Sequence, residues 1–324
     1  MRNSEIQSDV KLSVAVITYN QEKTISRTLD SILGQEHDYT CEVVVGDDCS
    51  SDGTRDILRG YAARYPDRVR LLLNEKNLGV VGNYFNVIAH CRGEYIMECA
   101  GDDWWLPGKV ALQVPYLDAC PECGMCYTDA ACVYGSDPES SGRILRGQPD
   151  NTYPSLLISD PVPAVTIVMR SRLVARYLEE IRPEQHDWKM EDYPMWLWFA
   201  RHSRIDYIPV RTCCYRVLQN TVSHSATYLS QLRFLQSVSD VKLFYCNRYP
   251  DVSDELHALV QSEYHMNDLQ IGYILNDSER IARSRAALRK YAGVGQGWAK
   301  RVKLWGLLWF PGLMMRVLQY KFKA

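Results

Sequence analysis

Short apolar runs alternate with amphipathic stretches along the first hundred residues of the chain. Four runs are mainly apolar and β-branched, which is typical of buried strands: residues 12–17, 42–46, 69–73 and 95–99. Between them, apolar side chains recur at helical spacing, and the first such stripe ends at Gly34. Strands that alternate with helices in this way predict right-handed β-α-β units and a mainly parallel sheet flanked by helices.

The alternation becomes less regular after residue 103. The apolar spacing still predicts two helices and three short strands: helices at 109–119 and 193–201, and strands at 165–169, 205–208 and 213–217. Beyond residue 220 the pattern is helical, without an internal repeat or a coiled-coil heptad. We therefore expect an α/β domain over residues 1–220 and a helical C-terminal extension over residues 221–324.

Composition and charge narrow the functional classes. The chain is 46% apolar, and 37 basic against 39 acidic side chains give a net charge of −2, so there is no general case for nucleic-acid binding. The first ten residues lack the apolar core of a signal peptide, and eleven irregularly spaced cysteines favour a reduced, cytoplasmic chain. Cys120, Cys123 and Cys126 lack a clear fourth ligand at finger-like spacing, so ordinary thiols are favoured over a metal site.

Two acidic pairs follow predicted strands. Asp47 and Asp48 end the second strand, and Asp102 and Asp103 follow the fourth. Parallel sheets bind ligands beyond the carboxyl ends of their strands, so both pairs are expected at one crevice. Adjacent carboxylates are hard to keep ionised without a cation, and Mg²⁺ or Mn²⁺ bridging a diphosphate provides one. The pattern indicates chemistry on a nucleotide diphosphate.

Six short strings carry a resemblance to a known family. They occur in the order VITYN (16–20), DDCSSDGT (47–54), NLG (77–79), GEYI (93–96), GDDW (101–104) and EDYPMW (191–196). Together they resemble a family-two glycosyltransferase with the GT-A fold, over residues from about 10 to 220. The resemblance implies an inverting, metal-dependent enzyme that takes a sugar from a nucleotide diphosphate, most often a UDP-sugar.

The resemblance implies a set of nucleotide-binding residues: Thr18, Tyr19, Asn20, Asp48, Gly79, Asn83 and Asp102. Tyr19 matches the aromatic beside the uracil ring, and Asp48 the carboxylate that accepts a hydrogen bond from the base. Many relatives carry an arginine near Asn83, and its absence leaves phosphate binding more dependent on the metal. The alternatives are a core tyrosine for Tyr19 and turn capping for Asp47 and Asp48.

Metal and donor contacts are implied in the same way. Asp102 and Asp103 match the metal-binding end of the family's D-x-D element, although Ala100 stands where many relatives have its first acid. His224 is a candidate third metal or phosphate contact, with a structural histidine as the alternative. Three residues are candidates for binding donor or acceptor: Trp104, Trp105 and Arg216. Core packing is the alternative for one of the tryptophans.

Inversion requires a base that takes the proton of the acceptor hydroxyl. Asp192 matches the family's base position, and Glu191 beside it either shares this role or positions the acceptor. The alternative is a pair of acids favoured by the dipole at a helix N-terminus.

The last segment, residues 300–323, is apolar with basic residues at both ends. Its Trp, Leu and flanking Lys and Arg favour an interfacial helix on an anionic leaflet over a helix packed on the protein's own core. We therefore expect a peripheral enzyme at the inner face of a bacterial membrane, acting on a glycan or lipid-linked acceptor in cell-surface polysaccharide biosynthesis. A catalytically weak nucleotide-sugar-binding or scaffold protein is the alternative, because of Ala100.

Overall fold

A computed structural model of the chain describes residues 10–134, 142–217, 227–291, 298–310, 312–314 and 316–318. The chain divides into two compact units. The first unit comprises Met1–His186 and Glu191–Val217, and the second comprises Asp187–Met190 and Leu218–Ala324. The four residues directly before Glu191 and Asp192, Asp187–Met190, thus belong to the second unit, which no pattern in the sequence indicated.

The first unit is built on one sheet. Its strands among the described residues are β1 Leu12–Thr18, β2 Cys41–Asp47, β3 Val69–Leu73, β4 Tyr95–Ala100, β5 Trp104–Trp105, β6 Cys123–Tyr134, β7 Ile144–Leu145, β8 Val168–Arg170 and β9 Arg204–Val217. The order is β3-β2-β1-β4-β8-β6-β9-β5, with β7 on β6. Strands β1 to β4 are parallel, whereas β8 is antiparallel to both β4 and β6. The predicted α/β fold is confirmed, with a parallel half and a mixed half.

Helices flank this sheet, and five of the seven described lie where the apolar spacing predicts; those at Tyr153–Ile158 and Ser171–Ile181 were not predicted. The seven are α1 Ile25–Leu33, α2 Thr54–Arg64, α3 Gly79–Ile88, α4 Lys109–Ala119, α5 Tyr153–Ile158, α6 Ser171–Ile181 and α7 Asp192–His202. Helix α1 ends at Gly34, whose N–H donates to the Asp30 carbonyl (2.9 Å). The predicted helix at 109–119 is confirmed at both ends.

Three strand predictions were wrong in their bounds. The short strands predicted at 205–208 and 213–217 are one strand, β9, because a register shift against β6 absorbs two extra residues between Tyr207 and Arg211. Pro209 lies in this bulge, where no ladder N–H is required. The strand predicted at 165–169 begins later, because Ala164–Thr166 forms a 3-10 turn before β8.

The main core lies on the face of the sheet that packs against α1 and α4. Tyr95, Met97 and Cys99 of β4 point into it. The intervening residues Ile96 and Glu98 therefore lie on the opposite face, since side chains alternate along a strand. That face carries α3, whose Asn83 donates to the Gly46 carbonyl of β2 (2.9 Å).

The second unit is helical in the described residues. It contains α8 Tyr228–Arg248, α9 Asp254–Leu275, α10 Ser278–Lys290 and α11 Trp298–Trp309. Helices α8, α9 and α10 are each capped by a side chain that accepts a hydrogen bond from the backbone N–H three residues later, which satisfies a donor that a helix leaves free. The capping residues are Thr227, Ser253 and Asp277. Within the described helices, none combines the length and apolar character needed to cross a bilayer.

Candidate active site

The carboxyl ends of β1, β2 and β4 meet at one edge of the sheet. Thr18 pairs with Asp47, and Ile17 pairs with Ala100. The chain remains paired just beyond the strands, because Asp48 N–H donates to the Thr18 carbonyl and Gly101 N–H donates to the Ile17 carbonyl, both at 2.9 Å. This arrangement brings the two acidic pairs to one crevice, as the sequence predicts.

Asp48 holds the loop that precedes α3. Its carboxylate accepts hydrogen bonds from the N–H groups of Leu78 (2.7 Å) and Gly79 (2.9 Å) and from the Asn74 amide (3.1 Å). Gly79 has φ +77°, a left-handed conformation that glycine adopts without a steric penalty. A carboxylate accepts about four hydrogen bonds, so Asp48 retains acceptor capacity for a base.

One of the two carboxylate oxygens of Asp47 is also engaged in hydrogen bonds within the protein. Its Oδ2 accepts from Ser50 N–H and from the Arg55 guanidinium, whereas the buried Oδ1 has no hydrogen-bond partner. Asn20 has φ +52° and ties the first loop to the second, because its N–H donates to Ser50 Oγ (2.9 Å). Tyr19 beside it is 49% exposed, so it is not the core tyrosine of the alternative interpretation.

Gly101 separates the strand from the acidic pair at a crowded position. A Cβ atom there would lie 2.4 Å from Gln21 Oε1 and 2.8 Å from Thr18 Oγ1. Both of these oxygens are buried without a hydrogen-bond partner. Unpaired buried acceptors at a crevice are available to donors on a ligand.

Asp102 and Asp103 carry strongly perturbed carboxyls. Burial raises the pKa of Asp103 well above its ordinary value, and the charge of Asp102 raises it further. Burial also raises the pKa of Asp102, against a smaller lowering by Arg216. Asp103 Oδ1 accepts from Arg216 N–H (2.7 Å), and the Arg216 guanidinium donates to the Asp102 carbonyl (3.1 Å).

This donor set fits a hard divalent cation that shares its shell with a ligand. Carboxylate oxygens suit Mg²⁺ and Mn²⁺, and a bound cation would favour the ionised form of two carboxyls whose pKa values burial raises despite Arg216. In the described part of the chain, no group of three or more His, Cys, Asp or Glu is placed to hold a metal. The remaining ligands would therefore come from phosphate and water. His224, the predicted third contact, lies outside the described residues.

The two tryptophans after the acidic pair are buried. Trp105 packs in the main core, so little of its surface remains for a ligand. Trp104 packs in a smaller cluster, and the guanidinium groups of Arg27 and Arg216 lie 3.6 and 5.3 Å from its ring centroid. Asn83 is buried as well, and both ends of its amide are engaged, with Gly46 and with Asn74.

Glu191 and Asp192 lie at the N-terminus of α7 and remain partly exposed. Burial of the carboxyl group raises the pKa of Glu191 to about 8, with a further contribution from Asp192. Burial also raises the pKa of Asp192, against a lowering by the N–H of Tyr193, which donates to it (2.7 Å). Two adjacent acids with perturbed pKa values are suited to proton transfer, with Glu191 protonated near neutral pH.

Two polar residues at this site were not identified from the sequence patterns. Gln21 lies against Gly101, and Glu98 lies on β4 facing Tyr84 of α3, where the charges of Glu191 and Asp192 reach it. An acid inside the apolar run YIMECA was the available signal for Glu98. All eleven cysteines are free, and Cys123 and Cys126 lie in β6.

Comparison with known proteins identifies the family. A model described as glycosyl transferase family 2 matches residues 13–172. The putative glycosyltransferase EpsE of Bacillus subtilis is 32% identical over 200 residues, which cover 60% of this chain and 68% of EpsE. The chain belongs to glycosyltransferase family 2. The resemblance carried by the six short strings is thereby confirmed.

Other relatives of this family 2 protein extend the comparison. The uncharacterized protein Rv1520 of Mycobacterium tuberculosis is 32% identical over 236 residues, which cover 70% of this chain but 64% of Rv1520. The Escherichia coli protein WfgD, named a UDP-Glc:alpha-D-GlcNAc-diphosphoundecaprenol beta-1,3-glucosyltransferase, is 27% identical over 221 residues, which cover 66% of this chain and 80% of WfgD.

Solved structures share the architecture. TarS 1-349 of S. aureus, in complex with UDP-GlcNAc, matches with a TM-score of 0.60 and 19% identity, covering 97% of this chain and 92% of TarS 1-349. The mannosyltransferase PcManGT of Pyrobaculum calidifontis, in complex with GDP-Man and Mn²⁺, matches with a TM-score of 0.54 and 20% identity, covering 97% and 85%. These likenesses confirm the GT-A-like fold.

Proposed function

We propose that this protein is an inverting glycosyltransferase that moves a sugar from a UDP-sugar to a hydroxyl of a glycan or lipid-linked acceptor in cell-surface polysaccharide biosynthesis. The observation that carries the proposal is the acidic pair of partly buried Asp102 and buried Asp103 at the crevice where β1, β2 and β4 end. A divalent cation bound with a diphosphate would supply positive charge beside these two carboxyls.

The nucleotide half of the site is supported by the first two loops. Exposed Tyr19 offers a ring face for a base, and Asp48 retains acceptor capacity beside it. Thr18 and Gln21 offer unpaired oxygens at the entrance to the acidic pair, where ribose hydroxyls would donate to them. The UDP-GlcNAc complex of TarS supports UDP as the nucleotide.

Asp102 and Asp103 would hold Mg²⁺ or Mn²⁺ with the diphosphate, and the Mn²⁺ complex of PcManGT supports this choice of ion class. The cation, when bound, neutralises charge on the departing nucleotide diphosphate. Arg216, whose backbone and guanidinium contact both acids, holds the pair in place.

Asp192 would act as the base. It takes the proton of the acceptor hydroxyl while that oxygen attacks the anomeric carbon, and the bond to the nucleotide diphosphate breaks on the opposite face. Glu191, with a pKa of about 8, keeps its proton at neutral pH and can donate a hydrogen bond to the acceptor. One neutral and one ionised acid side by side avoid the repulsion of two charges.

Peripheral membrane contact is supported by α11. Its inner face is held in the second unit, where the Tyr273 hydroxyl donates to the Leu307 carbonyl and Arg285 to the Leu308 carbonyl. Its outer face exposes Trp305 (56%) and Trp309 (68%). Exposed tryptophans beside basic residues fit an anionic lipid interface, and WfgD acts on a diphosphoundecaprenol acceptor.

The decisive experiment measures UDP release from several UDP-sugars with lipid-linked and soluble glycan acceptors, with and without Mn²⁺. We expect release that requires both acceptor and cation and that Asp192→Asn abolishes. Donor binding without acceptor-dependent release in any combination would favour the scaffold alternative. Absence of UDP-sugar binding in Mn²⁺ would contradict both.

A further inference from the structure

The face of β4 that carries α3 contains an acid among apolar side chains. Glu98 pairs in register with Ala15 of β1 and is 7% exposed. Side chains two residues apart share a face, so Ala100 lies between Glu98 and the crevice edge, about 7 Å further along the strand. Ala100 presents only a methyl group there, so the approach from the crevice to Glu98 passes a small side chain.

Polar atoms around Glu98 lack good partners. Tyr84 of α3 faces Glu98 and is 3% exposed, yet neither its hydroxyl nor Glu98 Oε2 makes a hydrogen bond of standard geometry. On α6, the buried Tyr177 hydroxyl is without a hydrogen-bond partner and lies within reach of the same acids, Glu191 and Asp192. The charges of Glu191 and Asp192 reach all three side chains. Tyr84 and Glu98 interact with each other, but not in standard hydrogen-bond geometry. Buried polar groups that are poorly paired cost stability, so this arrangement points to a ligand that completes their hydrogen bonds.

Glu98 is not suited to bind a cation here. Burial and the neighbouring acids raise its pKa well above the ordinary value, which favours the protonated carboxyl. A neutral carboxyl and a phenol each donate one hydrogen bond and accept another, which is the capacity of a hydroxyl or an acetamido group. Their ligand is therefore an uncharged polar group.

We infer that Glu98 and Tyr84 form a subsite for the transferred sugar and hydrogen-bond to a ring hydroxyl or acetamido substituent. This inference rests on the proposed function. On the proposed function, the diphosphate would lie at Asp102 and Asp103, four and five residues further along the chain from Glu98, and the base would be Asp192, whose charge reaches Glu98. A sugar held between the diphosphate and Asp192 would therefore lie next to Glu98. The subsite distinguishes sugars by their ring substituents and makes no contact with the nucleotide.

Three variants test the subsite: Tyr84→Phe, Glu98→Leu and Glu98→Gln. Calorimetry with Mn²⁺ compares UDP with a panel of UDP-sugars, and thermal unfolding is measured without ligand. We expect Tyr84→Phe and Glu98→Leu to bind the preferred UDP-sugar about 3- to 10-fold more weakly and UDP with unchanged affinity. Glu98→Gln keeps a donor and an acceptor and should lose less. Tyr61→Phe removes a hydroxyl that bonds Asp30 on α1 and serves as the control.

The stability measurement separates a sugar contact from a structural role. Removing the Tyr84 hydroxyl, which lacks a hydrogen bond of standard geometry, should change the melting temperature less than Tyr61→Phe, which should lower it. Unchanged UDP-sugar affinity and sugar preference in Tyr84→Phe, with UDP still bound, would overturn the subsite alone. Equal losses for UDP and UDP-sugar would overturn it as well. A wild-type protein that binds no UDP would contradict the proposed function itself. Tyr84→Phe removes a single oxygen atom, so it tests the subsite even if Glu98→Leu does not fold.

Discussion

Glu191 and Asp192 give the first unit a pH-dependent stability that a single substitution can isolate. The pKa of Glu191 is about 8 in the folded protein against 4.5 for an ordinary glutamate. The unfolded chain therefore releases this proton near pH 4.5, while the folded protein holds it until about pH 8. Because the folded state binds more protons across this window, raising the pH through it favours unfolding.

The magnitude follows from the width of the window. Each pH unit between the two values weakens folding by at most about 1.4 kcal/mol, which gives a ceiling of about 5 kcal/mol. The acids titrate as a pair and solvent reaches both, so we expect about 2 kcal/mol for Glu191. Glu191→Gln imitates the protonated acid at every pH and removes this contribution. It should therefore be more stable than the wild type at pH 8 and similar to it below pH 4.5.

The assay is urea unfolding of both proteins at intervals from pH 4.5 to 8.5. We expect the difference in unfolding free energy to grow with pH in favour of Glu191→Gln, by about 2 kcal/mol over the range. Glu179→Gln, at an exposed position on α6, makes the same change of charge and controls for net charge. Parallel curves for wild type and Glu191→Gln would show that Glu191 titrates as an ordinary surface acid, which would remove the basis for its role as a proton donor.

Three further predictions concern the donor, the base and the membrane. Asp103→Ala should weaken UDP binding in Mn²⁺ by at least about 10-fold by calorimetry, and unchanged affinity would exclude Asp103 from the metal site. Asp192→Asn should lower the turnover rate by about 10²- to 10⁴-fold and keep the affinity for the donor, because an amide cannot accept the proton. A loss of donor affinity as large as the loss of rate would place Asp192 in donor binding. The double change Trp305→Ala with Trp309→Ala should weaken flotation with anionic liposomes by at least about 10-fold, and high salt should weaken flotation of the wild type. The control Ile158→Ala, at a 57% exposed position on α5, should not weaken flotation. Equal flotation of the wild type and both variants would contradict membrane contact through α11.

Local patterns predicted the parts of the fold that depend on nearby residues. Strands β1 to β4 and helix α4 follow from apolar spacing over a few residues, and the two acidic pairs follow from where those strands end. The path of β9 could not be predicted in this way, because Pro209 looks like a break until pairing with β6 supplies a bulge around it.

The chemistry of the site depends on contacts between distant parts of the chain. Nothing near Asp48 in sequence shows that its carboxylate binds Leu78 and Gly79, and nothing near Glu98 shows that Tyr84 faces it. The pKa of Glu191 likewise depends on burial that only the folded unit provides. Residue type and spacing therefore indicated which acids to consider, and tertiary packing decided which of them are neutral.

Ala100 has a consequence for how cation and nucleotide bind together. With an alanine at this position, no third carboxylate in the described residues is grouped with Asp102 and Asp103 so as to hold a metal, while the next acid on the same face, Glu98, is buried and has a raised pKa. Most ligands of the cation must then come from the diphosphate and water, so Mn²⁺ should bind weakly without UDP and about 10- to 100-fold more tightly with it. Reciprocity requires the same factor for UDP binding with and without Mn²⁺, which two calorimetric titrations measure. Ala100→Asp should raise Mn²⁺ affinity without nucleotide and reduce this coupling. Tight Mn²⁺ binding to the wild type in the absence of UDP would show that the protein supplies more ligands than these two acids.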